Sequence, residues 1–181
     1  MTNVVPISLN TFAHPSEYEY YLKNSGARIV VGEAEFLAPI ADVLKRANLL
    51  AVVTVRDNTG TGEIDFKELV EAQSPELEAA PTHRDDPSHW VYSSGSTGHP
   101  KGAVHLHKNT IFAIDPFVRH VLDMTPDDVT FSVSRLFFSY GLANSMFIPL
   151  WVGASVVLMP MRPEPERIFE FIQQAFTAQF R

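Results

Sequence analysis

An α/β fold of mostly parallel sheets flanked by helices is predicted by three features of the 181-residue sequence. Short runs of strand character alternate with segments of helical period from the first residues onward. The run Leu49-Leu50-Ala51-Val52-Val53-Thr54-Val55 is almost continuously apolar, as suits a strand covered on both faces. The stretch between the first two strand-like runs is of helical length, and a β-α-β order of that kind implies parallel pairing.

Taken in order, residues 4–9 read as a strand. Pro15 then supplies the fixed φ of a first helical position, Glu17 stands where a capping-box acid belongs, and Tyr18, Tyr21 and Leu22 form an apolar face. His14 is an unusual cap for that helix, and Gly26 ends it. A strand over 27–32, a helix over about 33–47 and the strand 49–55 follow, and three such units predict one doubly wound sheet. Between 57 and 88 the composition shifts to Gly, Pro, Ala and acidic residues, which marks a surface connection and the junction of two subdomains, with a short helix near 66–72. Beyond it come a strand ending at Tyr92, a Gly/Ser/Thr loop, a strand at 102–106, a helix over 109–122 and a strand near 129–133. A last helix begins after Pro163 and Pro165 and places Ile168, Phe171, Ile172, Ala175 and Phe176 on one stripe.

Residues 136–161 carry no charge and are long enough to span a bilayer. Polar Ser139, Tyr140, Asn144 and Ser145, the breaks at Gly141 and Gly153, and the β-branched Val156-Val157 instead fit a helix, a glycine turn and a buried strand, so no membrane is expected. Composition narrows the chemistry further. With 45% hydrophobic residues, 19% charged residues and a net charge of −7, the chain has the makings of one packed domain and lacks the basic field of a nucleic-acid binder. It contains no cysteine, which removes disulfides, thiolate metal sites and a cysteine nucleophile. No signal peptide is evident at the start, and a cytoplasmic location is the default expectation.

The loop Ser93-Ser94-Gly95-Ser96-Thr97-Gly98-His99-Pro100-Lys101-Gly102 concentrates hydroxyls, glycines and one cation directly after a strand. Glycines let backbone N–H groups approach an anion, hydroxyls donate to it, and a lysine adds a point charge, so the pattern suits a phosphate chain. It is not a Walker A sequence, because Pro100 and Gly102 occupy positions where that motif needs Gly and Ser/Thr. The plain alternative is a flexible Gly/Ser turn, against which the ordered Pro100-Lys101-Gly102 speaks.

From Tyr92 to Gly102 the sequence resembles the AMP-binding signature of the adenylate-forming superfamily, which includes acyl-CoA synthetases, peptide adenylation domains and luciferases. Leu136-Phe137-Phe138-Ser139-Tyr140-Gly141-Leu142-Ala143-Asn144, followed by Pro149 and by Gly153-Ala154-Ser155-Val156-Val157-Leu158, resembles the acyl-pocket region of its benzoate–CoA ligase branch, as do Trp90 and His105-Leu106-His107. The resemblance implies a partial large N-terminal domain over 1–181 and a two-step ligation that uses ATP, Mg²⁺ and CoA on an aromatic carboxylate. It implies nucleotide or phosphate contacts from Ser93, Ser94, Gly95, Ser96, Thr97, Gly98, Lys101 and Gly102, and an acyl pocket containing Phe138, Ser139, Tyr140 and Gly141. Ser139 stands where the branch suggests a smaller alanine, so a hydroxylated or heteroaromatic ring, or a narrower pocket, is implied.

The family's Y-G-x-T-E and T-G-D motifs and the catalytic lysine of its mobile C-terminal domain are not found in these residues. The expectation is therefore an internal fragment without full turnover of its own and with its catalytic residue unassigned. The alternatives are a nucleotide or polyphosphate binder without ligase chemistry, and one part of a split protein that self-associates or meets its missing partner through exposed sheet edges. Phe137 and Phe138 also read as ordinary core residues. His105 and His107 share a face of a short strand, yet no third ligand accompanies them and no metal site is assigned. Asp127-Asp128 reads as a solvated turn.

Overall fold

The computed structural model describes residues 4–56, 63–93 and 98–179. These fold as two compact units, one made of 11–56, 63–81 and 98–99 and the other of 4–10, 82–93 and 100–179.

In the first of these units, α1 (Pro15–Ser25) begins with the capping box that the sequence suggests. The Glu17 carboxylate accepts from the His14 N–H at 2.9 Å, while His14 Nδ1 accepts from the Ser16 N–H at 3.4 Å. Gly26 ends the helix with φ 66°, and its N–H donates to the Leu22 carbonyl at 3.0 Å. Strands β2 (Ile29–Gly32) and β3 (Ala51–Thr54) then pair in parallel from Ile29 opposite Ala51 to Gly32 opposite Thr54, and β3 pairs in parallel with β4 (Ile64–Asp65). The helix expected over 33–47 is broken into α2 (Ala34–Leu37), a 3₁₀ turn at Ala38–Ile40 and α3 (Ala41–Arg46). Pro39 is the cause, since it lacks an N–H and its ring crowds the carbonyl four residues earlier. Tyr18, Tyr21, Leu37, Ile40, Val43, Leu44 and Val53 form the buried apolar set of this unit. The short helix α4 (Phe66–Glu71) is capped by the Asp65 carboxylate, which accepts from the Glu68 N–H at 3.0 Å.

In the other unit, β1 (Ile7–Ser8) lies parallel to β5 (Pro87–Ser93), with Ile7 opposite Trp90, and β5 is antiparallel to β6 (Lys101–Leu106). This corrects the expected β-α-β crossover and the single doubly wound sheet. Among the described residues there are three small sheets, and β1 pairs with β5 instead of β2. An apolar run marks a strand but not its partner, and β2 takes the longer Val-rich register offered by β3.

Helix α5 (His107–Phe117) starts at His107, not near 109, and contains Pro116. The missing N–H of that proline precedes a π-helical turn at Val118–Leu122, which closes at Asp123 with φ 50°. Strand β7 (Val129–Phe131) pairs in parallel with β8 (Ser155–Val157). Between them run α6 (Ser139–Leu142), a second π-helical turn at Ala143–Phe147, and α7 (Ile148–Val152), which ends at Gly153 with φ 80°. The uncharged segment is thus the expected helix, glycine turn and strand, and no described helix is long and apolar enough to cross a membrane. Ile114, Val118 and Ile148 make the core beneath it, with Phe147 and Met124 against them. In α8 (Pro165–Gln179), Ile168, Phe171 and Ile172 are partly buried and the Phe171 ring lies 5.8 Å from that of Phe131, while the side chains of Ala175 and Phe176 lie outside the described residues.

Candidate functional site

Two segments of the unit built on β5 and β6 carry most of the residues singled out by the sequence. The first is the β5–β6 hairpin. Ser93, the last residue of β5, sits directly opposite Lys101, the first of β6, so the strand ends flanking the Gly/Ser/Thr loop are held together by a ladder. Both side chains are exposed. Tyr92 faces Gly102 across the ladder, and a Cβ on Gly102 would lie 3.1 Å from the Trp90 ring and 3.2 Å from the Tyr92 ring. Glycine there lets two aromatic rings close over the backbone. Gly98 has φ 131°, a conformation that glycine adopts without strain. Ser94, Gly95, Ser96 and Thr97 lie outside the described residues.

The second segment opens α6. Phe138 is its N-cap, with its N–H donating to the Arg135 carbonyl at 3.0 Å and its own carbonyl accepting from the Leu142 N–H at 2.8 Å. The rings of Phe137 and Phe138 are 4.4 Å apart at 49°. Tyr140 is 70% exposed and Phe138 51% exposed, so neither is core. Ser139 is exposed too, whereas Gly141 is buried. A Cβ on Gly141 would fall 2.1 Å from the Arg135 carbonyl oxygen and 2.6 Å from that of Ser134. The start of α6 therefore rests directly on the backbone of the preceding turn. That turn is held in its own right by the Ser132 hydroxyl, which accepts from the Ser134 N–H at 3.2 Å.

Sequence reasoning passed over His89. It is 9% exposed, faces His105 across the β5–β6 ladder, and stacks on that ring at 4.7 Å and 3°. Its Nδ1 is 3.0 Å from the Ser88 hydroxyl, and its ring lies 5.2 Å from that of Phe147. Burial, with His105 and then His107 nearby, holds its imidazole below the usual value. The signal in the sequence is strand alternation, which puts His89 on the same face as the apolar Val91 two positions on. His107 is the first residue of α5, so it does not share a strand face with His105.

Two clefts lie away from these segments, and of the candidate functional residues that the sequence singled out His107 alone, among the described residues, lines one of them. One, of about 440 Å³, lies between α1 and α3, where Arg46 is 3.8 Å from Glu19. Another, of about 390 Å³, lies at the start of α5. There Lys108 pairs with Asp85 and the Arg84 guanidinium sits 5.7 Å over the Phe112 ring. Lys108 also holds the Asp85 carboxyl below the usual carboxylate range, chiefly by hydrogen bonding to it.

Comparison with known proteins places these segments in context. Residues 1–178 match the family model described as AMP-binding enzyme. The benzoate–CoA ligase of Thauera aromatica is 43% identical over 94% of this chain, which covers 32% of that protein. A 4-hydroxybenzoate–CoA/benzoate–CoA ligase of Rhodopseudomonas palustris is 34% identical over 94% of the chain and is covered over 31% of its length. Among solved structures, a benzoate CoA ligase from Burkholderia xenovorans LB400 matches with a TM-score of 0.81 and 35% identity, over 92% of this chain and 32% of that one. The anthranilate CoA ligase AuaEII, solved with anthranoyl-AMP, matches with a TM-score of 0.88 and 31% identity, over 94% of this chain and 33% of that one. The chain thus spans about a third of the length of these relatives. With residues 1–178 of the chain matched and both signature segments in order within them, this chain belongs to the AMP-binding enzyme family.

Proposed function

We propose that this chain is part of an aryl-acid–CoA ligase. In such a reaction the carboxylate oxygen attacks the α-phosphorus of ATP, forming an acyl-adenylate and releasing pyrophosphate. The CoA thiol then attacks the acyl carbon, AMP leaves, and a thioester remains. The observation that carries this reading is the hairpin that sets Ser93 against Lys101 at the mouth of a Gly/Ser/Thr loop. It occurs in a chain whose relatives include a benzoate–CoA and a hydroxybenzoate–CoA ligase.

The roles divide by chemistry. Lys101 and the hydroxyls of Ser93, Ser94, Ser96 and Thr97, with the N–H groups of Gly95, Gly98 and Gly102, orient the pyrophosphate that departs. A cation and hydrogen-bond donors brought to that developing charge stabilise it in the transition state. Mg²⁺, when bound with ATP, shares the same charge. Phe138 and Tyr140 give the aryl ring an apolar wall, Ser139 offers a hydroxyl to a ring substituent, and Gly141 lets the wall sit close to the turn before it. On this reading the chain is part of the large N-terminal domain of the family, with a subdomain junction at 57–88. The division of the two compact units after Pro81 supports that junction.

The test is acyl-CoA formation from benzoate and hydroxybenzoates by the protein carrying this chain, with Lys101→Ala alongside. Lys101→Ala is expected to lower kcat/KM for ATP by about 10²-fold, the scale seen when one charge-stabilising donor is removed. A variant within twofold of the wild type would refute the phosphate role, and thioester formation only with aliphatic acids would refute the aryl class.

A further inference from the structure

The hairpin that carries the phosphate loop and the segment that carries the aryl motif meet at one aromatic contact. On the hairpin side stands His89, the inward residue four positions before Ser93, with His105 stacked face to face upon it. On the other side stands Phe147, the last residue of the π-helical turn that follows α6 directly. Phe147 also packs on the Ile114, Val118 and Ile148 core, and the Thr130 hydroxyl donates to the Asn144 carbonyl at 3.2 Å, fastening the same turn to β7. The turn is therefore held from below by the core, from one side by β7 and from another by His89. π-Helical turns recur where a helix must re-aim side chains at a functional site. Here the turn lies between the aryl motif and the core.

We propose that His89, backed by His105, is a positioning residue that seats the aryl-acid segment against the phosphate-loop hairpin by bearing on Phe147. The proposal rests on the aryl-acid–CoA ligase reading. An imidazole suits this place because Ser88 orients its ring through Nδ1 while its face stays apolar. The charges that act on it are those of His105 on β6 and His107 at the start of α5. The residues of β1 paired beside β5 are the uncharged Ile7 and Ser8, and the turn presents the ring of Phe147. Protonation in this setting adds a cation beside two imidazoles within a buried contact. Acid is thus expected to loosen the joint as the pH falls below about 6.5, the ordinary value of a histidine.

Two variants of the protein carrying this chain decide the matter. His89→Ala removes the contact, and His89→Phe keeps an aromatic ring there while abolishing its titration and the bond to Ser88. His89→Ala is expected to raise KM for the aryl acid roughly tenfold while leaving KM for ATP within about twofold. His89→Phe is expected to keep a near-wild-type KM for the aryl acid at neutral pH and to lose the wild type's rise in that KM on acidification. Equal increases in both KM values, or an acid limb unchanged in His89→Phe, would overturn the proposal. Deuterium uptake of residues 139–147 supplies a readout without turnover. Faster uptake in His89→Ala than in the wild type supports the joint, and identical uptake overturns it. A wild type that activates no aryl acid would instead count against the ligase reading, with the uptake comparison still deciding the role of His89.

Discussion

Replacing Gly141 with alanine tests the geometry of the aryl segment most directly. The added Cβ would sit 2.1 Å from the Arg135 carbonyl oxygen, 2.6 Å from the Arg135 carbonyl carbon and 2.6 Å from the Ser134 oxygen. All three are backbone atoms, so no side chain can swing aside, and the turn must retreat by roughly 1 Å to restore ordinary contact. Overpacking of this kind costs about 1–3 kcal/mol, and a rigid backbone neighbour puts it at the upper end. The same retreat pulls the Arg135 carbonyl from the Phe138 N–H, which it accepts at 3.0 Å, for about 1 kcal/mol more. A total near 3–4 kcal/mol corresponds to a fall in Tm of roughly 10 °C for a folding unit of about 150–250 residues. Gly26→Ala is the control. Nothing lies within 4 Å of its Cβ position, so only the left-handed φ of 66° is penalised, by about 1–2 kcal/mol. Thermal and urea unfolding of the two variants and the wild type measures the difference. If Gly141→Ala were no more destabilising than Gly26→Ala, the close approach of the turn to α6 would be refuted.

Other outcomes follow from the same structure. Ile148→Ala, which opens the cluster shared with Ile114 and Val118, should cost about 2–5 kcal/mol in urea unfolding. Lys108→Met should raise the Asp85 carboxyl toward 3.8 in an NMR titration, because Lys108 is the main group lowering it. Since the folded carboxyl titrates below its unfolded value, its small stabilising share is complete above pH 3.8 and is lost as the pH falls through the lower folded value, and Lys108→Met should remove that share.

What could be read from the sequence was local. His14, Pro15 and Glu17 announce a helix start and Gly26 its end, because capping needs only neighbours within one turn. Gly153 before Ser155-Val156-Val157 likewise marks a turn into a strand. Pro39 was legible as well but was passed over within a helix-like pattern, and it splits that helix in two. The Ser93 to Gly102 loop stood out because its composition alone suits an anion. The aryl motif was visible as a string of aromatics, but not the reason its Gly141 must lack a side chain, since the carbonyls that crowd it belong to a turn six and seven positions earlier in sequence.

By itself the sequence determined the helix caps, the run of strands and helices, and the residue types that mark a phosphate loop and an aryl wall. Each of these follows from the intrinsic preferences of a few adjacent residues. Only the tertiary structure decided that β1 pairs with β5, that Ser93 stands opposite Lys101, and that His89 lies between His105 and Phe147. Those choices are made by ladder register and by packing between segments distant along the chain. Many pairings would satisfy the same local pattern, and the one observed is set by which apolar faces can be buried together.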